Sequence, residues 1–250
     1  MKNFSRACLA LLAATAALPT VALAQEESTD GITISANATV VSDYRFRGVS
    51  QTGEKGAIQG GFSISHDSGF YVGTWGSNVN FGGAGAEIDA FAGYAREITS
   101  GLTADIGVTA YFYPGLAGDT TIIEPYFSLS GDVGPASLKA AVAWVPGGQN
   151  SMIDPVTLED GRSAIYLSGD AGIAIPSTPF TLKGHLGYAK SDSVLGGPDG
   201  DAVDYSIGLE TSYKQLTLGV SYVNTDWSPR AAKEYYGADG AVIFSLGASF

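Results

Sequence analysis

The chain has 250 residues, among them 34 glycines, 13 tyrosines and 11 phenylalanines. Its 13 basic residues face 25 acidic ones, for a formal net charge of −12. Such a balance argues against a nucleic-acid partner, because phosphate binding needs a basic face. The single cysteine, Cys8, excludes a disulfide framework and a cysteine metal site.

Residues 1–24 have the form of a secretory signal peptide. Lys2 and Arg6 give the basic start, an apolar run follows from Ala7 to Leu18, and small residues Ala22 and Ala24 flank Leu23. Cleavage is expected before Gln25. It would remove the only cysteine, and no lipobox surrounds Cys8. Residues 25–250 are then expected to form one domain, with no Pro- or Ser-rich linker dividing it.

After residue 24 no segment offers the ~20 consecutive apolar residues of a spanning helix. Alternation takes its place. Over residues 32–47 the even positions run Ile32, Ile34, Ala36, Ala38, Val40, Ser42, Tyr44, Phe46, and the odd ones run Thr33, Ser35, Asn37, Thr39, Val41, Asp43, Arg45, Arg47. One face is nearly all apolar and the other nearly all polar. This stretch is longer than the ~5–6 residues of an ordinary strand and exceeds the ~9–11 that cross a bilayer.

Further strands are predicted at 57–66, 69–79, 86–96, 102–112, 122–130, 136–145, 163–175, 180–190, 203–213, 215–226 and 241–250. Segment 69–79 is aromatic on both faces, which leaves its orientation open. The last strand alternates Val242, Phe244, Leu246, Ala248 and Phe250 up to the final residue. That pattern resembles the C-terminal signal by which bacterial outer-membrane proteins are recognised for insertion by the barrel-assembly machinery. The fold expected is all-β: a transmembrane antiparallel up-and-down β-barrel of about twelve strands, its apolar face covered by lipid.

Connection lengths supply an independent test, since bacterial barrels alternate short periplasmic turns with longer outer loops. Gaps after odd strands are long, at 48–56, 80–85, 113–121, 146–162, 191–202 and 227–240. Those after even strands are short, at 67–68, 97–101, 131–135, 176–179 and 214. Aromatic residues gather near strand ends (Tyr44, Phe46, Tyr111, Phe112, Tyr113, Trp144, Tyr188, Tyr222, Trp227, Phe250), as interfacial girdles would require. The alternative is ordinary cross-strand packing.

Three elements carry a family resemblance: residues 41–52 (Val-Ser-Asp-Tyr-Arg-Phe-Arg-Gly-Val-Ser-Gln-Thr); Gly60-Gly61-Phe62 with residues 68–79; and Glu87-Ile88-Asp89. Their Ser-Asp-Tyr-x-x-Arg-Gly and Gly-x-x-x-Gly-Thr-Trp-x-Ser-Asn patterns resemble the TorF family of outer-membrane porins. The resemblance implies an outer-membrane barrel with a pore role and names no substrate.

By strand parity the charges expected to line the lumen include Asp43, Arg45, Arg47, Glu87, Asp89, Asp105, Lys139, Lys183, His185, Asp204 and Glu210. Across a narrow bore they would either filter solutes by charge or pair and brace the interior, and both readings stay open. Acidic outer-loop residues Asp154, Glu159, Asp160, Asp192, Asp199 and Asp201 would favour cations at the mouth, or hold divalent ions among lipopolysaccharide headgroups. The function expected is passive diffusion of small hydrophilic solutes with a weak cation preference. The expected partners are outer-membrane lipid, lipopolysaccharide and those solutes.

Two rival classes stand beside the channel. A non-conducting barrel could serve as an adhesin or structural link, with the 146–162 loop as its surface. A lipid hydrolase could use His66 and Ser68, but this pair falls in the shortest connection and reads as a plain turn. No cofactor is expected, because the sequence holds no metal motif, P-loop or dinucleotide fingerprint.

Overall fold

The structure, a computed structural model, describes residues 31–118, 120–152, 161–228 and 230–250. The expected signal peptide and the acidic residues Asp154, Glu159 and Asp160 lie outside the described residues. Twelve strands close into a barrel: β1 (Ile32–Val41), β4 (Ala57–His66), β5 (Phe70–Phe81), β6 (Ala84–Thr99), β7 (Leu102–Phe112), β8 (Ile122–Val133), β9 (Ala136–Val145), β10 (Ala164–Ala174), β11 (Phe180–Ser191), β12 (Asp201–Tyr213), β13 (Leu216–Thr225) and β14 (Ala241–Ser249). Two short strands between β1 and β4, β2 (Arg45–Phe46) and β3 (Val49–Ser50), pair only with each other.

Each barrel strand runs antiparallel to its sequence neighbour in the wall, so the order is up-and-down throughout. The barrel closes where β14 returns to β1, with Val40 opposite Leu246 and Ala38 opposite Ala248. Below these pairs the Ala36 N–H donates to the Phe250 carbonyl (2.8 Å) and the Phe250 N–H donates back (2.9 Å). The final residue therefore completes the seam.

Alternation fixes what each face meets. Ile58 is 72% exposed, and Ile34, Ile106, Leu186, Ile207 and Phe244 are likewise exposed, while Gln59, Thr39, Asp204 and Ser249 are buried. Apolar outside and polar inside inverts the arrangement of a water-soluble domain. Hydrocarbon solvates such an exterior, and closure leaves no unpaired strand edge to face it. The wall also settles β5: Phe70 and Val72 point outward, and Tyr71, Trp75 and Val79 point in.

Strands β6 and β8 run three residues past their expected ends, to Thr99 and Val133, which shortens the turns after them, and two boundaries near the hairpin and the β5–β6 turn depart further. The first strand ends at Val41, not at residue 47, because the chain turns inward at Ser42. The gap expected at 80–85 shrinks to Gly82-Gly83. Both glycines have positive φ (57° and 94°), as a two-residue type I′ turn requires. The β5–β6 ribbon thereby extends above its neighbours, and Phe81 at its end packs edge-on against Tyr113 (5.4 Å between ring centroids). The other long connections hold, and the 226–240 loop carries α1 (Arg230–Tyr235).

The girdle expectation holds in part. Phe112, Trp144, Tyr222 and Phe250 are exposed on the outer side, whereas Tyr44 and Tyr111 are buried in the interior. Interior tyrosines need room, and inward glycines on neighbouring strands supply it. A Cβ on Gly93 would fall 2.3 Å from the Tyr71 hydroxyl, and one on Gly107 would fall 2.6 Å from that of Tyr126.

Candidate pore constriction

Residues 42–56 fold into the barrel as a hairpin. β2 and β3 are joined by Arg47-Gly48, both with positive φ (48° and 83°), so this too is a type I′ turn, with an arginine where glycine or asparagine is usual. Gly48 has no substitute, because a Cβ there would stand 2.8 Å from Cβ of Thr225. Asp43 ties the base of the hairpin together: its carboxylate accepts from Arg45 Nε (2.5 Å), Ser50 Oγ (2.6 Å) and Thr52 Oγ1 (2.9 Å).

The hairpin reaches the wall through side chains. The Tyr44 hydroxyl donates to Glu87 on β6 (2.7 Å), and its ring meets Trp75 of β5 edge-on (5.4 Å). Arg45 donates to the Gly237 and Asp239 carbonyls of the β13–β14 loop (2.6 and 2.9 Å). At the tip, Arg47 Nη2 pairs with Glu124 on β8 (2.5 Å), and its guanidinium lies over the Tyr166 ring of β10 (4.0 Å). Tyr111 of β7 donates to the other oxygen of Glu124 (2.7 Å). Among the described residues, no hydrogen-bond partner meets Arg47 Nε, Arg47 Nη1 or Asp89 Oδ1. The faces of Phe46 and Tyr166 partly compensate the guanidinium, by about 1–2 kcal/mol.

A second cluster lies beside the tip. His185 on β11 sits between two carboxylates, Nδ1 to Asp170 (2.7 Å) and Nε2 to Asp204 (2.9 Å), an arrangement that uses both N–H donors of an imidazolium. The Tyr166 hydroxyl donates to Asp204 (3.0 Å). On the opposite wall the Tyr71 hydroxyl donates to Asp105 (2.7 Å) and also meets that of Tyr126. Toward the short-turn end, Lys183 faces Glu210 (3.8 Å) and Lys139 lies opposite Asp170 in the β9–β10 ladder.

The outer half is packed. Val41, Tyr44, Trp75, Val79, Val223 and Ile243 form one cluster around the hairpin, and Met152 joins Val145 and Ala164 in another. Thr52 and Tyr166 are each 1% exposed. Toward the other end Ser63, Ser65, Thr103, Ser130, Lys183 and Glu210 are only half-buried. Obstruction is thus concentrated where the hairpin crosses.

All the lumen candidates named from parity face inward, but Asp43, Arg45 and Arg47 do so from the hairpin and not from a wall strand. Glu87 and Asp105 are held by tyrosines, and Asp204 by Tyr166 and His185. In the outer half, pairing and bracing therefore dominate. Sequence reasoning missed Glu124, Tyr166 and Asp170, although the same parity places them inward. Asp192, Asp199 and Asp201 are exposed in or beside the β11–β12 loop.

His66 Nδ1 lies 2.8 Å from Ser68 Oγ and accepts the Ser68 N–H at 3.1 Å. One nitrogen thus caps the turn from an exposed position.

A family model described as a bacterial protein of unknown function, Gcw_chp, matches residues 25–250. The chain belongs to this family. No curated protein matches this Gcw_chp chain. Among solved structures, a NanC porin is similar, with a TM-score of 0.59 and 13% identity over 87% of this chain and 98% of that one. A KdgM porin in complex with disordered oligogalacturonate gives a TM-score of 0.53 and 11% identity, covering 87% of this chain and 97% of that one. At these identities the likeness concerns the fold, a closed twelve-stranded antiparallel barrel.

Proposed function

We propose that this Gcw_chp protein is an outer-membrane channel for small hydrophilic solutes, with a weak preference for cations. One observation carries the reading: an apolar exterior encloses an interior whose charges run from Arg47–Glu124 at the outer half to Lys183–Glu210 near the opposite end. A wholly braced interior would bury its charges, whereas Lys183 and Glu210 stay half-buried in an end that solutes can reach. The likeness to two porins supports the same reading, as does the resemblance of residues 41–52, 68–79 and 87–89 to the TorF family. A signal peptide at 1–24 would deliver the chain, and lipid and lipopolysaccharide would surround it.

The sign of the preference follows from the inner charges. Asp43, Glu87, Asp105, Glu124, Asp170, Asp204 and Glu210 outnumber Arg45, Arg47, Lys139, Lys183 and His185, with Asp89 left aside because its buried Oδ1 meets no partner among the described residues. Exposed Asp192, Asp199 and Asp201 add negative potential at the mouth. In a planar bilayer with a salt gradient the reversal potential should indicate cations as the more permeant ions. An anion-selective potential would contradict the assignment.

Phe250 is proposed as the C-terminal residue through which the assembly machinery recognises the strand. Its deletion also removes both hydrogen bonds to Ala36 at the seam. The expected result is a marked fall in heat-modifiable protein recovered from outer membranes, while export continues. Unchanged recovery would count against this role.

The near-complete burial of Thr52, Tyr166 and Met152 favours a second reading, a non-conducting barrel used as an adhesin or structural link. Discrete conductance steps from refolded protein separate the two, and a silent membrane favours the second. A hydrolase built on His66 and Ser68 has little support, because its hydrogen bonds serve an exposed turn. Ser68→Ala should leave any lipid hydrolysis unchanged.

A further inference from the structure

We propose that the 42–56 hairpin is a displaceable stopper, latched to the far wall by Arg47–Glu124, and that the channel conducts fully only when the latch opens. This rests on the channel reading above. Three observations point to it. The hairpin pairs with itself (Arg45 opposite Ser50, Phe46 opposite Val49) and shares no ladder with a barrel strand. Past its root, where Ser42 bonds to Phe244 and Gly56 to Asn78, its hydrogen bonds to the wall and loops come from the side chains of Tyr44, Arg45 and Arg47 and from two backbone bonds, Ser50 N–H to Gly237 O (2.9 Å) and Asn80 N–H to Gln51 O (2.7 Å), beside the ring contacts Tyr44–Trp75 and Phe46–Tyr111. Finally, the docked tip is imperfectly satisfied, since Arg47 meets its carboxylate through one nitrogen while Nε and Nη1 find no partner among the described residues.

Removing such an insert keeps every cross-strand pair of β1 and gives up, at the root, only the Ser42–Phe244 bonds beyond its end and the Gly56–Asn78 bond. Val41 and Ala57 are direct cross-strand partners at the point where the hairpin departs and returns, so a two-residue turn can join them. The docked hairpin therefore closes the bore without being part of the wall.

Single-channel recordings in planar bilayers test this with the full barrel. The variants are Glu124→Gln, the charge exchange Arg47→Glu with Glu124→Arg, and replacement of residues 42–56 by Asn-Gly. Heat-modifiable mobility on gels verifies that each barrel has folded. The expected result is a several-fold higher conductance or open time for Glu124→Gln and for the shortened chain, with the charge exchange returning toward wild type. Wild-type currents from either Glu124→Gln or the shortened barrel would overturn the stopper while leaving the channel reading in place. Silence from a folded, shortened barrel would overturn both.

Discussion

Ile106→Arg is expected to destabilise the lipid-embedded barrel by about 2–4 kcal/mol, the usual cost of a guanidinium on the lipid side of a barrel near the bilayer midplane. Ile106 lies near the middle of β7, points outward at 60% exposure, and stands beside Tyr94 and Phe127 in the neighbouring strands. Its exposure is to hydrocarbon, so an arginine there must snorkel or drag water with it. Thr103→Arg on the same strand supplies the contrast. Thr103 faces the half-open inner end, where a long cation can reach water, so the change should stay within about 0.5 kcal/mol. Urea titration of protein refolded into vesicles measures both. Equal, small effects would mean that water, not lipid, covers the outer face.

The second large effect separates two glycines three residues apart on β11. A Cβ on Gly187 would stand 2.0 Å from the Tyr166 hydroxyl and 2.5 Å from Asp204 Oδ2, whereas one on Gly184 meets nothing within 4 Å. Tyr166 cannot step aside, because it is almost wholly buried and carries Arg47 on its ring face. Gly187→Ala should therefore cost about 2–4 kcal/mol, combining overpacking with loss of the Tyr166–Asp204 bond. Gly184→Ala should be neutral or gain up to about 1 kcal/mol from reduced chain entropy. The comparison uses the same urea midpoints. If the two substitutions behaved alike, the Tyr166–Asp204–His185 cluster would not be packed closely around Gly187.

Much of the barrel was legible because its information is local. Period-two alternation in segments such as 57–66 and 241–250 reports strand, face and register together, and a barrel repeats that signal around its circumference. The hairpin was not legible for the same reason. Asp43, Arg45 and Arg47 keep the polar parity of β1 past its end, and a hairpin that turns inward presents the same alternation as a strand that continues. Only the positive φ of Arg47 and Gly48 marks the difference, and an Arg-Gly pair is a weak turn signal beside Asn-Gly.

The convergence of the three motif-bearing segments was hidden by distance along the chain. Tyr44 meets Glu87 and Trp75, while Arg47 meets Glu124 across 77 residues, and no window of sequence contains both partners. Asp43, Tyr44, Arg47 and Gly48 build the hairpin, and Trp75 and Glu87 receive it. What the sequence presents as separate signatures is one structural unit. Glu124 and Asp170 differ from these, since the parity that exposed Asp105 and Asp204 would have exposed them too.

Hydrocarbon as the solvent of the outer face underlies the fold, the inward charges and the channel together. Sedimentation of residues 25–250, with and without detergent, tests it most directly. The expected result is a monodisperse, heat-modifiable species in detergent micelles and aggregation once detergent is withdrawn. A stable monomer in plain aqueous buffer would contradict it.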